Sequence, residues 1–234
     1  MHALLNAYWQ GLSHFLFPFQ CLGCGHSLDE GEEEVCRSCL SELPLTHYWK
    51  DPSNEVAQMF WGKVDLESAS SFLFFYQGGK VQKMLHALKY QGRTVPGRIL
   101  GEQFGEVLRA SPYAECDLIV PVPLHIKKEK KRGYNQCSII GKALAEQLKV
   151  GFNDEVLIRT EHHASQTKKG RFDRWLNVRS RFAVVSDEDL IGKHVLLIDD
   201  VITTGATLEA CAQTLLQIDG VKVSVATVAC PAPF

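Results

Sequence analysis

Two groups of residues in this 234-residue chain have the types and spacing to do chemistry. The first lies in HVLLIDDVITTGATL, residues 194–208. An apolar run ends in Asp199 and Asp200, and Thr203, Thr204, Gly205, Ala206 and Thr207 follow. Two carboxylates at the end of a buried strand are costly unless hydroxyls, donors or a cation satisfy them. The segment behind them offers successive backbone N–H groups, threonine hydroxyls and a glycine that permits close backbone approach. A helix starting near Thr207 adds its positive end. This set suits a sugar diol on the aspartates beside a phosphate in the loop. A capped strand-to-helix turn would explain one acid and one threonine, but not the whole run. The segment lacks the G-K-[ST] of a Walker A loop and the G-x-G-x-x-G of a dinucleotide site.

The second group is Cys21, Cys24, Cys36 and Cys39, two C-x2-C pairs separated by an eleven-residue spacer. Four thiolates so spaced can converge on one tetrahedral Zn²⁺, and Gly23 and Gly25 favour the tight turns that bring amides to the sulfurs. The polar, acidic spacer cannot build a core, so the segment is expected to fold around structural zinc. His26 is read as a bystander. Cys116, Cys137, Cys211 and Cys230 are scattered among apolar neighbours and read as small buried hydrophobes.

The surrounding chain must position these groups. Its composition, 45% hydrophobic and 22% charged with a net charge of −2, is that of a globular protein and marks no general nucleic-acid or membrane binder. No apolar run reaches the roughly 20 residues needed to span a bilayer. The apolar N-terminus has no Lys or Arg ahead of it and no small-residue cleavage site. It is therefore expected to be a short amphipathic helix, and the protein cytoplasmic, without stable membrane insertion. The expected division is an N-terminal helix and zinc module over 1–48 and a larger domain over 49–234, joined by a proline-containing linker.

Within the larger part, ESASSFLFFYQGG reads as a strand and turn, residues 81–90 as a helix, and Val95 to Leu108 as a second helix. CDLIVPVPL is a strand running into a loop, and Gln136 to Leu148 a long helix. EVLIR and RFAVV are shorter strand candidates. HVLLI leads into a helix near Thr207–Ile218, and VKVSVATVA closes the chain as a strand. Strands alternating with helices imply an α/β fold with a mainly parallel sheet and helices on both faces.

Two segments are strongly basic. Lys127, Lys128, Lys130, Lys131 and Arg132 face only Glu129, and residues 159–182 carry seven basic against two acidic side chains. Either can attract a multiply charged anion.

LLIDDVITTGAT resembles the 5-phosphoribosyl-1-pyrophosphate (PRPP) loop of type I phosphoribosyltransferases. The four cysteines after an aromatic-proline stretch, LKYQG, and VPVPL followed by KRGYNQ narrow the resemblance to the ComF family, from about Phe17 to the C-terminus. That resemblance implies the type I phosphoribosyltransferase fold with a small N-terminal zinc module. It implies PRPP bound with Mg²⁺, its ribose on Asp199 and Asp200 and its 5′-phosphate on residues 203–207. Pyrophosphate would lie in the loop starting at residues 121–123, with Pro123, Arg132, Gly133, Asn135 and Gln136. The second basic segment would be a closing lid, where Gln166, Arg174 and Asn177 match the family spacing. Lys89, Tyr90 and Gly92 match K-Y-x-G, although a helix C-terminus with a glycine stop explains them equally.

The chemistry implied is phosphoribosyl transfer to an unknown acceptor, in DNA uptake during natural competence. Single-stranded DNA or DNA-uptake proteins are the implied partners. The alternative is a non-catalytic protein on the same fold that binds single-stranded nucleic acid or senses PRPP. No motif identifies an acceptor pocket.

Overall fold

The computed structural model describes residues 19–160 and 181–232. Its strands are β1 (Ser68–Phe75), β2 (Leu118–Pro121), β3 (Gly151–Phe152), β4 (Leu157–Arg159), β5 (Phe182–Val184), β6 (His194–Val201) and β7 (Lys222–Pro231). Five of them form one sheet in the order β1-β7-β6-β2-β3, and every neighbouring pair is parallel. β4 and β5 pair antiparallel as a separate ribbon at the two ends of segment 161–180.

The parallel arrangement follows from the apolar runs. Val195, Leu196, Leu197 and Ile198 are all fully buried, because the sheet is covered on both faces. Leu196 and Ile198 join a cluster with α3 (Lys80–Tyr90), α4 (Val95–Leu108) and α6 (Gln136–Leu148), which follow α1 (Arg37–Ser41) and α2 (Glu55–Gln58) in the chain. Val195 and Leu197 face the other cluster, with α2 and α7 (Ala206–Leu215).

α4 and α6 occupy the residues that periodicity assigns to them, and their contact is unusually close. Gly97, Gly101 and Gly105 recur every fourth residue along α4 and face α6. A Cβ on Gly97 would meet Ile139 Cγ2 at 3.1 Å, one on Gly105 would meet Gln147 Cβ at 2.5 Å, and one on Gly101 would collide with the carbonyl oxygen of Ile140. The helices can pack this tightly only because the ridge on α4 is missing.

Three segments differ from the sequence expectation. The basic run after β2 is not a loop but a short helix, α5 (Ile126–Arg132). His125 Nδ1 accepts from Lys127 N at its start, and Gly133 ends it in the left-handed region at φ 90°. Lys130, Lys131 and Arg132 lie in its last turn, where the helix dipole favours cations. The stretch expected as a linker is fixed structure: Phe74 N–H donates to Pro44 O at 2.8 Å and Thr46 N–H to Phe72 O at 3.0 Å. It covers the free edge of β1, which would otherwise present unpaired backbone groups. Asn54 anchors its end, accepting from Val56 N and Ala57 N and donating to Ala69 O at 2.8 Å. Finally, the helix after β6 stops at Leu215, not at Ile218.

The strand order fixes where a ligand can bind. From β2 the chain moves outward to β3, then crosses back to β6 on the other side of β2. The strand order therefore reverses between β2 and β6, and their carboxyl ends open a crevice there. Asp199, Asp200 and the loop after Pro121 all sit at that crevice.

Replacing Gly101 by alanine tests the close helix contact. Overpacking against Ile140 is expected to cost about 1–3 kcal/mol. That outweighs the roughly 1 kcal/mol by which alanine is the better helix former. Urea denaturation of Gly101→Ala should show a lower midpoint; a higher one would mean that the helices do not pack as described.

Candidate ligand site at the carboxyl edge of the sheet

The two aspartates leave β6 toward different partners. Asp200, 5% exposed, lies with Oδ2 2.9 Å from Lys89 Nζ at the end of α3. That oxygen has no hydrogen bond of good geometry, so the lysine compensates it by charge. Asp199 Oδ1 accepts from the N–H of Asp200 at 2.8 Å and from the Cys137 thiol at 3.2 Å. Burial first, and then the charge of Asp200, push the Asp199 carboxyl up to about 7. The same burial, with Asp199 and Asp200 nearby, pushes the Cys137 thiol well above its ordinary value. The thiol therefore keeps its proton and is the donor.

Beyond Val201 the chain turns through Thr203 and Thr204 into Gly205, whose φ of 75° begins α7. Asp199 and residues 201–208 line one pocket. Thr203, Thr204, Ala206 and Thr207 are exposed there, and the N–H groups of Thr203, Thr204 and Gly205 have no acceptor among the described residues. Unpaired amides at a helix start, beside hydroxyls, form a concavity for an anion.

A second opening, of about 410 Å³, is lined by Lys89, Tyr90, Gly92, Lys128, Lys131 and Arg132. No carboxylate lines it, and among the described residues none pairs with Lys128, Lys131 or Arg132. Arg132 is held by Gln136 Oε1 and lies over the Tyr90 ring, 5.7 Å from its centroid. Lys89 lines this opening and also reaches Asp200. Its position beside Asp200 decides what local sequence left open, since a mere helix-end lysine would point to solvent.

Asn135 and Gln136 are placed behind this surface. Asn135 Oδ1 caps α6 by accepting from Cys137 N, and its Nδ2 donates to Val122 O, both at 3.0 Å. Gln136, 6% exposed, supports Arg132 and sets Nε2 3.6 Å from Cys137 Sγ. Pro123 lies on the loop after β2, and Gly133 closes α5. Gln166, Arg174 and Asn177 lie outside the described residues. Cys137 is the residue that sequence reasoning overlooked as part of the site: a buried thiol among apolar neighbours looks the same whether or not it touches a carboxylate.

The four N-terminal cysteines converge. Their sulfurs lie within 4.8 Å of one another, and Cys24 and Cys36 are separated by 3.8 Å. A tetrahedron with metal–sulfur bonds of about 2.3 Å has an edge of about 3.8 Å, so the cluster can hold a metal ion. Cys21 Sγ accepts from Gly23 N at 3.4 Å and Cys36 N at 3.3 Å. Burial raises the Cys21 thiol, but donors from Cys36, Cys24 and Gly23 outweigh it and bring it down to about 6. A Cβ on Gly23 would lie 2.8 Å from Cys39 Sγ, so only glycine fits there. His26 is not in the cluster.

Comparison with known proteins places this geometry among relatives. Residues 135–232 match the phosphoribosyl transferase domain. Competence protein F of Haemophilus influenzae is 24% identical over 89% of this chain and 96% of its own length. DNA utilization protein YhgH of Escherichia coli is 29% identical over 61% of this chain and 63% of its own. Competence protein ComFC of Bacillus subtilis is 32% identical over 43% and 38% respectively. The domain match begins at Asn135, so Lys89, α5 and the cysteine cluster all lie outside it.

Removing Lys89 would leave Asp200 buried without a cation. Breaking a fully buried pair costs roughly 3–5 kcal/mol. Since the Lys89 side chain keeps 22% exposure, Lys89→Met should lose about 2–3 kcal/mol at pH 7. Chemical denaturation should show this loss largely recovered in Lys89→Met/Asp200→Asn. A double variant no more stable than the single one would deny the pairing.

Proposed function

We propose that this chain is a ComF-type protein of the phosphoribosyltransferase fold, as its domain match over residues 135–232 and its competence-protein relatives favour, and that it binds PRPP with Mg²⁺ and transfers phosphoribose to an acceptor. The observation that carries this reading is the pairing, at one topological switch point, of two strand-end carboxylates with a hydroxyl-rich loop of unpaired amides. Asp199 and Asp200 accept from the ribose hydroxyls. The 5′-phosphate lies against residues 203–207, where amides, threonine hydroxyls and the start of α7 meet it.

The pyrophosphate then faces Arg132 and the N–H groups around Gly133, beyond the loop of Pro123. Asn135 and Gln136 serve this surface by holding the loop and the arginine. Lys89 pairs with Asp200 and adds positive charge on the pyrophosphate side. Mg²⁺ bound with PRPP would supply charge neutralisation for the pyrophosphate leaving group. The protein's own share is placement and charge, since an oxocarbenium-like centre needs no protein nucleophile. Gln166, Arg174 and Asn177 complete the reading as residues of the segment that covers PRPP.

The four cysteines hold a structural Zn²⁺, and the first 48 residues act as a module on the transferase domain. Work in DNA uptake fits the competence and DNA-utilization names of the relatives, and we assign that work to the cytoplasm. No helix among the described residues is long and apolar enough to cross a membrane. A second reading has one observation in its favour. The uncompensated cations Lys128, Lys131 and Arg132 also suit an extended polyanion, which would make the chain a non-catalytic binder of single-stranded nucleic acid or a PRPP sensor.

Calorimetric titration of PRPP with Mg²⁺ into the zinc-loaded protein separates these readings. Saturable binding is expected, with at least a 100-fold loss in Asp199→Ala/Asp200→Ala, or about 2.7 kcal/mol. Bases, nucleosides and single-stranded DNA are then added as acceptors while pyrophosphate release is followed. No PRPP binding by the folded parent would end the transferase reading. Binding without pyrophosphate release for any acceptor would leave the sensor.

A further inference from the structure

The two oxygens of Asp199 have different surroundings. Oδ1 accepts both available donors, the Asp200 N–H at 2.8 Å and the Cys137 thiol at 3.2 Å. Oδ2 takes neither, and Asp199 lines the pocket it shares with residues 203–207. One oxygen is thus committed to the protein and the other takes neither of these donors.

The thiol that makes this division is itself held in place. Cys137 is 1% exposed and second in α6, its N–H bound to Asn135 Oδ1 at 3.0 Å. Asn135 in turn grips Val122 O on the loop after β2. Gln136 Nε2 approaches the sulfur at 3.6 Å. The donor therefore has its position set by the same loop and helix start that border the crevice. If only volume mattered at this site, any small apolar residue would do.

We propose that Cys137 is a positioning residue, whose thiol proton turns Asp199 so that its free oxygen meets a ribose hydroxyl. The proposal rests on the PRPP reading above and assigns Cys137 no contact with the ligand. Without the donor, Oδ1 keeps only the Asp200 N–H and the carboxylate can rotate about its last torsion. Ligands that carry the ribose then lose affinity, whereas an anion that meets only the phosphate loop does not.

The test titrates the parent, Cys137→Ala and Cys137→Ser with three probes: PRPP with Mg²⁺, ribose 5-phosphate and inorganic phosphate. Cys137→Ala should weaken PRPP and ribose 5-phosphate by about tenfold, the scale of one hydrogen bond to a charged group. Its phosphate affinity should stay at the parent's. Cys137→Ser, which restores a donor, should return the two ribose ligands to within about threefold of the parent. Should Cys137→Ala fail to fold, Cys137→Val removes the donor while filling the space, and the comparison with serine decides. Equal binding by alanine and parent would overturn the proposal, as would equal losses in alanine and serine, or a parallel loss of phosphate affinity. The parent titration reports separately on the PRPP reading: a parent that binds no PRPP removes both, whereas a binding parent with any of those three patterns removes only the role of Cys137.

Discussion

Two adjacent carboxylates at the end of a central buried strand are the constraint around which this molecule is organised. Ionised carboxylates in such a place need cations and donors close by, and each aspartate obtains them from a different element. Asp200 draws on Lys89 from α3, and Asp199 on Cys137 from α6 and on the backbone between them. The two helices can serve one strand end because α4 packs between them, its glycine face letting α6 approach so closely. Site and core are in this sense one design: moving α4 outward would carry the carboxylates' partners away from them.

The cysteine cluster bears on the same helices from outside. Cys21, Cys36 and Cys39 belong to the apolar cluster that contains α3 and α4, and the surrounding acidic residues pair with cations of those helices. Lys80 meets Glu42 and Arg98 meets Glu33, both at 2.5 Å, while Lys83 donates to Gly23 O at 3.1 Å. Exposed pairs of this kind contribute little individually. Together they fix the orientation of the module on α3, the helix that ends in Lys89. The acidic spacer, which has no core of its own, thus finds its use in docking.

Much of this was legible in the sequence, and the parts that were not share a cause. The parallel sheet followed from continuous apolar strands, and Val95–Leu108 and Gln136–Leu148 from their periodicity. The cysteine spacing and the DD-x2-TTGAT run marked the groups of residues that the fold brings together, because each motif is local. Features made by distant residues left no local signal. β3 has two residues, too few to show alternation. The segment around Thr46 reads as a linker until the free edge of β1 gives its backbone a partner. The lysine-rich run reads as a loop because its charges hide a helix whose cap is a histidine. Lys89 and Cys137 acquire meaning only from Asp200 and Asp199, more than 60 residues away in the chain.

A crystal structure of the protein with PRPP and Mg²⁺ tests the central claim most directly. The account predicts ribose hydroxyls on Asp199 Oδ2 and on the Asp200 carboxylate, with the 5′-phosphate within hydrogen-bonding distance of the amides of residues 203–207. The pyrophosphate should lie toward Arg132. A ligand found elsewhere, or with its phosphate at the aspartates and its ribose in the threonine loop, would contradict it.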